Sequence, residues 1–174
     1  LFIWDAESGK LLSQIPIESR PFALNFSNDS KLVATGEANG KIIIWSTETF
    51  YKVMDIQAHT GQPNEIVFSK DDKYLYSGGE DKIAKMWDVK TGTLIKDFNG
   101  HTQRVYTLDV SPDGKRLATG SSDLTVRVWD IETGESTLIL SDFTNPLYQV
   151  RFYPDGKSLI ANSMGVEIVL YKTE

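Results

Sequence analysis

The apolar positions of this chain fall in short runs separated by polar turns. "PFALNFS", "NEIVFS", "VYTLDVS" and "LYQVRFY" are each followed by a polar turn: "NDSK", "KDDK", "PDGK" and "PDGK". Next come "KLVATG", "KYLYSGG", "KRLATGS" and "KSLIANS", a second turn, and a run that carries a Trp or Tyr. A Gly-containing turn ("ESGK", "KTGT", "ETGE") usually leads into a fourth run such as "LIKDF" or "STLIL". β-Branched and aromatic runs bounded by Asn, Asp and Gly predict consecutive hairpins. No stretch sustains a 3.6-residue apolar period, so helix is expected to be nearly absent. The inner strands read as apolar at nearly every position, which predicts that neighbouring sheets cover both of their faces.

The runs recur at a fixed period. Trp4, Trp45, Trp87 and Trp129 stand 41, 42 and 42 residues apart, and Tyr171 lies a further 42 on. Four strands in roughly 40–45 residues is the signature of a propeller blade. Within the period, "GGEDKIAKMWD" (78–88) and "GSSDLTVRVWD" (120–130) repeat one spacing, with a turn Asp six residues ahead of a Trp. On these residues the whole chain resembles the WD-repeat β-propeller family. Residues 99–140 match best, with Gly100-His101 at the start and Trp129-Asp130 further on. The resemblance implies an all-β fold of four-stranded antiparallel blades, here an arc of about four blades of a larger, seven- or eight-bladed propeller. Residues 1–15 would end one blade, 16–57, 58–98 and 99–140 would be full repeats, and 141–174 a degenerate repeat lacking its last strand.

In that family a buried tetrad joins a loop His, a Ser or Thr on the second strand, the turn Asp and the Trp. The resemblance places it on His101, Thr119, Asp123 and Trp129, and again on His59, Ser77, Asp81 and Trp87. It would staple three strands and a loop. The other units depart from the pattern. Trp45 has Thr35, but Asn39 replaces the Asp and Ile17 stands where His belongs. Phe143, Ala161, Gly165 and Tyr171 occupy the four places in the last unit, and the second unit opens with Ala58-His59 rather than Gly-His.

Composition narrows the function. The net charge of −6 and the lack of clustered Lys and Arg argue against a nucleic-acid face. With no Cys, disulfides and thiolate metal sites are excluded. No apolar run approaches the roughly 20 residues of a membrane span, and no charged-then-apolar leader stands at the start, so a cytoplasmic protein, with the nucleus open, is the expectation. Two sequons, at Asn25 and Asn28, read as chance. His101, Thr119 and Asp123 have the composition of a nucleophile, base and orienter, but the same set recurs at His59, Ser77 and Asp81. Duplication at blade spacing favours a structural role. The two His are the only ones in the chain and lie one blade apart, which disfavours zinc. "SKDDKY" and "SPDGKR" supply too few ligands for calcium, and no phosphate-binding glycine motif occurs. No enzyme activity, metal or cofactor is expected.

What remains is binding. The family's usual work is protein–protein interaction on the narrow face of the propeller, at the positions three and five residues after the loop His and the one before the turn Asp. Carried over unit by unit these are Arg20, Phe22 and Ala38; Gln62, Asn64 and Glu80; Arg104, Tyr106 and Ser122; and Pro146, Tyr148 and Met164. Arg and aromatic residues are enriched at interface hot spots, and Arg pairs with carboxylate or phosphate in bidentate fashion. The expected partner is therefore a protein or peptide, acidic or phosphorylated, with neither nucleic acid nor membrane bound directly. Alternatives are an architectural propeller in a large assembly, contacting through its sides or edges, and a regulatory or sensor module of a longer multidomain enzyme. The strands also count unevenly. Two at the start (2–5 and 11–15), three full units and three at the end (147–153, 157–162 and 166–171) leave one strand beyond whole blades. With a start lacking Met, this count leads to the expectation that the chain is an excerpt and that its remaining blades lie on a longer polypeptide.

Overall fold

A computed structural model describes residues 1–165 and 167–172, and among them every regular element is a strand. β1 (Phe2–Trp4) and β2 (Leu11–Gln14) form a two-stranded sheet. The first four-stranded blade is β3 (Pro21–Phe26), β4 (Leu32–Glu37), β5 (Lys41–Ser46) and β6 (Lys52–Gln57). The second is β7 (Pro63–Phe68), β8 (Tyr74–Gly79), β9 (Ala84–Asp88) and β10 (Leu94–Phe98). The third is β11 (Val105–Val110), β12 (Arg116–Ser121), β13 (Val126–Asp130) and β14 (Ser136–Leu140). A three-stranded sheet of β15 (Leu147–Phe152), β16 (Ser158–Ser163) and β17 (Ile168–Lys172) ends the series. Each sheet is an antiparallel meander in chain order, and the ring of sheets is not closed. Val166, assigned from sequence to the last strand, lies outside the described residues.

The sheets stack face to face, and the core lies between them. Ala23, Ala34, Ile42 and Ile44 of the first blade pack against Ile66, Phe68, Leu75 and Trp87 of the second. Tyr76, Ala84 and Met86 meet Val105, Leu108, Leu117 and Trp129 in the same way, with Phe98 set edge-on to Trp129 at 5.8 Å. Close approach needs a missing side chain. A Cβ on Gly36, Gly78 or Gly120 would lie 2.9 Å from Pro63, 2.7 Å from Val105 or 2.9 Å from Leu147, each at the start of the next inner strand. The glycine at this place in each full blade is therefore a packing requirement.

One expectation is corrected. The innermost strands are not covered on both faces; continuous burial belongs to the second strands of the full blades, β4, β8 and β12. The innermost strands carry Asn25, Glu65, Asp109 and Arg151. Their acids and hydroxyls cap backbone donors of the neighbouring inner strand. Leu108 N donates to Glu65 Oε2 at 2.7 Å, Val150 N to Thr107 Oγ1 at 3.2 Å, and Phe152 N to Asp109 Oδ2 at 2.6 Å. A polar side chain is needed where an inner-strand N–H would otherwise stay unpaired. Burial raises the Asp109 carboxyl above its ordinary range, although the Phe152 N–H and the Arg151 guanidinium act against that rise.

Candidate functional site

Two constellations dominate the blades, and their geometry decides what each can do. In the second blade, His59 Nε2 lies 2.7 Å from Ser77 Oγ and His59 Nδ1 lies 2.8 Å from Asp81 Oδ1, while Trp87 Nε1 donates to Ser77 Oγ at 2.9 Å. In the third, His101 Nε2 lies 2.8 Å from Thr119 Oγ1 and Nδ1 lies 2.9 Å from Asp123 Oδ2, and Trp129 Nε1 donates to Thr119 Oγ1 at 2.8 Å. Both hydroxyls are wholly buried and already engaged twice. A nucleophile there could not reach a substrate, so the arrangement braces strands. Burial lowers the His101 pKa despite its carboxylate partner, which favours the neutral ring. Burial acts to raise the Asp123 carboxyl, but bonds from Thr125, Thr102 and His101 outweigh it and leave it below the ordinary value.

Two further members of these networks went unread in the sequence. Lys85 donates to Ala58 O at 2.8 Å, stands 3.5 Å from Asp81 and lies over the Trp87 ring at 5.8 Å. Arg127, at the corresponding place, lies 5.8 Å over Trp129. The signal was available: both cations stand two residues before the Trp of their unit.

The departing units are simpler. Trp45 Nε1 still donates to Thr35 Oγ1 at 3.0 Å, but Ile17 packs against the apolar cluster around Trp45, and Asn39 receives Lys41 N at 3.1 Å and reaches Glu37 at 3.5 Å. In the last unit Phe143 and Tyr171 meet edge-on at 6.5 Å beside buried Ala161, and the Tyr171 hydroxyl is buried with no partner among the described residues.

The second constellation is open to solvent. In every unit the residue before the turn Asp, or its replacement, donates its N–H to the residue three after the loop-His place. Ala38 reaches Arg20 O at 2.8 Å, Glu80 reaches Gln62 O at 3.1 Å, Ser122 reaches Arg104 O at 3.1 Å, and Met164 reaches Pro146 O at 2.8 Å. These pairs put eight of the twelve positions on one rim. Below it, Phe22, Gln62, Asn64, Arg104, Tyr106 and Tyr148 line a groove of about 520 Å³ along the inner strands. Leu24, Glu65, Gln149 and Arg151 line it as well and were not singled out from sequence.

Tyr106 and Tyr148 face each other at 5.8 Å, and Arg20 lies 4.9 Å over the Phe22 ring. Gln62 Nε2 donates to Asn64 Oδ1 at 3.0 Å, and Asn64 Nδ2 donates to Val105 O at 2.9 Å. Arg151 Nη2 donates to Glu65 Oε1 at 2.6 Å, so that cation is spoken for, whereas Arg104 stands 4.0 Å from Glu80 at the rim. Tyr148 and Met164 are both about half exposed. Among the described residues no group of His, Cys, Asp and Glu is placed to hold a metal ion.

The profile of the family described as WD domain, G-beta repeat matches residues 16–46, 50–88 and 92–130. The chain belongs to the WD-repeat family. The matches run through the three full blades as far as the end of β13 and do not reach the degenerate last unit. No curated protein matches the chain. WD-repeat domains generally serve as scaffolds for binding proteins or peptides and are generally non-catalytic.

Proposed function

We propose that this WD-repeat chain is a non-catalytic scaffold that binds a protein or peptide on its narrow face. The single observation that carries the reading is the groove of the inner strands. Six of the twelve narrow-face positions line it, Arg104 among them, it bears two facing Tyr rings, and Arg20 lies over the lining Phe22. Aromatic rings offer large contact area at low entropic cost, and an Arg near them supplies a directional charge. The partner we favour presents a carboxylate or phosphate to Arg20 and Arg104, because Arg151 is already held by Glu65. Glu80 beside Arg104 sets a condition: the ligand's anion must displace or outbid a carboxylate 4.0 Å away.

A second reading has its own observation. Leu24 and Phe26 are 49% and 57% exposed, whereas Ile66 and Phe68, their counterparts in the second blade, are 1% and 4% exposed. At the other end Ile168 is 72% exposed, while its counterpart Val126 is wholly buried. Further blades of the same propeller on a longer polypeptide would cover these faces, and the arc would then be architectural as well as binding. Capture of partners on immobilised parent chain, Arg104→Glu and Ile139→Glu separates binding on the narrow face from binding on the sides of the blades. Loss of a partner on Arg104→Glu alone supports the narrow face. Loss on Ile139→Glu alone, on the outer strand β14, overturns it in favour of the sides.

A further inference from the structure

The first blade lacks the His and Asp of the tetrad, and a different polar group is buried beneath its rim. Glu37, the last residue of β4, is wholly inaccessible to solvent, and its Oε1 has no hydrogen-bond partner among the described residues. Its counterparts in the next two blades are Gly79 and Ser121. A Cβ on Gly79 would lie 2.4 Å from His59 Nδ1, so a side chain at this place enters the space that the tetrad imidazole holds. Ser121 fits beside His101 by turning its hydroxyl to Gln103 O and Arg104 O at 3.1 and 2.9 Å. Glu37 has the room because Ile17 replaces the His and turns into the cluster around Trp45.

The groups that face this carboxyl are few. Asn39 Nδ2 reaches Oε2 at the long distance of 3.5 Å. Glu18 on the entering loop adds a like charge, and Lys41 on β5 and Lys52 on β6 add opposite ones. Both cations already have carboxylates of their own, Lys41 with Glu18 at 3.6 Å and Lys52 with Asp55 at 2.8 Å. An ionised carboxylate buried with one bare oxygen carries a large desolvation cost, whereas a neutral carboxyl carries little. Burial, with Glu18 second, accordingly raises the Glu37 pKa above its ordinary value.

The segment that Glu37 anchors carries two other features. Ala38 N holds Arg20 O at 2.8 Å, and Gly40 N holds Glu37 O at 2.9 Å. Gly40 O in turn accepts from Ala58 N and His59 N, both at 3.0 Å. The turn therefore joins the rim at Arg20 to the loop that delivers the second blade's His. We propose that Glu37 is a proton-dependent latch: protonated it holds the turn 37–40 closed under the rim, and on ionisation it leaves its buried place and loosens Arg20 and the His59 loop together. The latch concerns the rim whether or not a partner binds there, so it does not depend on the binding reading.

The sign follows from linkage. A carboxyl whose folded pKa is raised stabilises the fold fully below its unfolded value, about 4.3, and loses that contribution as pH rises through the folded value. The test is urea unfolding of the 174-residue chain and of Glu37→Gln across about pH 4 to 8, with Glu37→Ser, which copies the third blade's Ser121, as the second variant. The parent's folding constant relative to Glu37→Gln should fall by up to about tenfold per pH unit above the unfolded value, then level off. Glu37→Ser should follow Glu37→Gln. A direct reading is the ¹³C signal of the Glu37 carboxyl in the parent, which should titrate above the ordinary glutamate range. Parallel stability profiles for parent and Glu37→Gln, or an ordinary carboxyl titration, would overturn the latch.

Discussion

Replacing His101 with Ala is the sharpest probe of the tetrads as braces. The change removes the bond to Asp123 at 2.9 Å, the bond to Thr119 at 2.8 Å, and the edge-on contact with the Trp129 ring at 6.1 Å. Its partners are not left bare. Thr119 keeps the Trp129 donor at 2.8 Å, and Asp123 keeps Thr102 N at 2.9 Å and Thr125 Oγ1 at 2.6 Å. The loss is therefore one neutral bond of about 1 kcal/mol, one charge-assisted bond of about 1.5–3 kcal/mol, and a small cavity. About 3–5 kcal/mol in all is expected, which for a chain of this size lowers the melting temperature by roughly 6–20 °C. Asn39→Ala, at the corresponding turn of the first blade, removes the exposed bond from Lys41 N and the long 3.5 Å contact to Glu37 Oε2, and should cost about 1 kcal/mol or less. Urea unfolding followed by far-UV circular dichroism measures both. If His101→Ala unfolded like the parent while losing a partner, the tetrad would be a functional site and the structural account would fail.

The remaining predictions use the same logic. Because burial lowers the His101 pKa, the tetrad's contribution is present above the unfolded value of about 6.5 and is lost as pH falls toward the folded value. Amide protection in residues 99–140, corrected for the intrinsic exchange rate, should therefore fall on going from about pH 7 to about pH 5, the reverse of the response expected at Glu37; equal protection at the two pH values would contradict this. Gly40 has φ +85°, and a Cβ there would lie 2.1 Å from His59 O, so Gly40→Ala should destabilise by more than about 1 kcal/mol in the same urea assay. Tolerance of that alanine would mean that the turn gives way easily. The uncovered faces at Leu24, Phe26, Ile168 and Leu170 should make the isolated chain associate as its concentration rises. Light scattering from a stable monomer at high concentration would refute that expectation.

Much of the fold was legible because one unit is written several times. The Trp spacing and the turn chemistry mark strands that the structure places within a residue or two, and the paired His and Asp mark contacts that recur in two blades. Other features were hidden for physical reasons. Arg151 and Glu65 meet across two blade interfaces, 86 residues apart, which no period in the sequence reports. The inner strands were read as two-face apolar because their Val and Leu stand out, yet Glu65, Thr107 and Asp109 are there to cap donors of the next blade. Glu37 escaped notice because it ends a strand in a position filled by Gly79 and Ser121 elsewhere, and nothing local says that its side chain turns inward. The narrow-face residues were reachable only by carrying positions from unit to unit, and the structure adds Leu24 and Gln149 to the groove they line.

The central claim is that partners engage the narrow face through Arg20 and Arg104. It is tested most directly by titrating a captured partner against the parent and an Arg20→Ala, Arg104→Ala double variant at low and high salt, after both have been shown to melt alike. The account predicts at least about tenfold weaker binding for the double variant, with a shallower salt dependence than the parent. Unchanged affinity and unchanged salt dependence would contradict it and move the binding surface to the sides or ends of the blades.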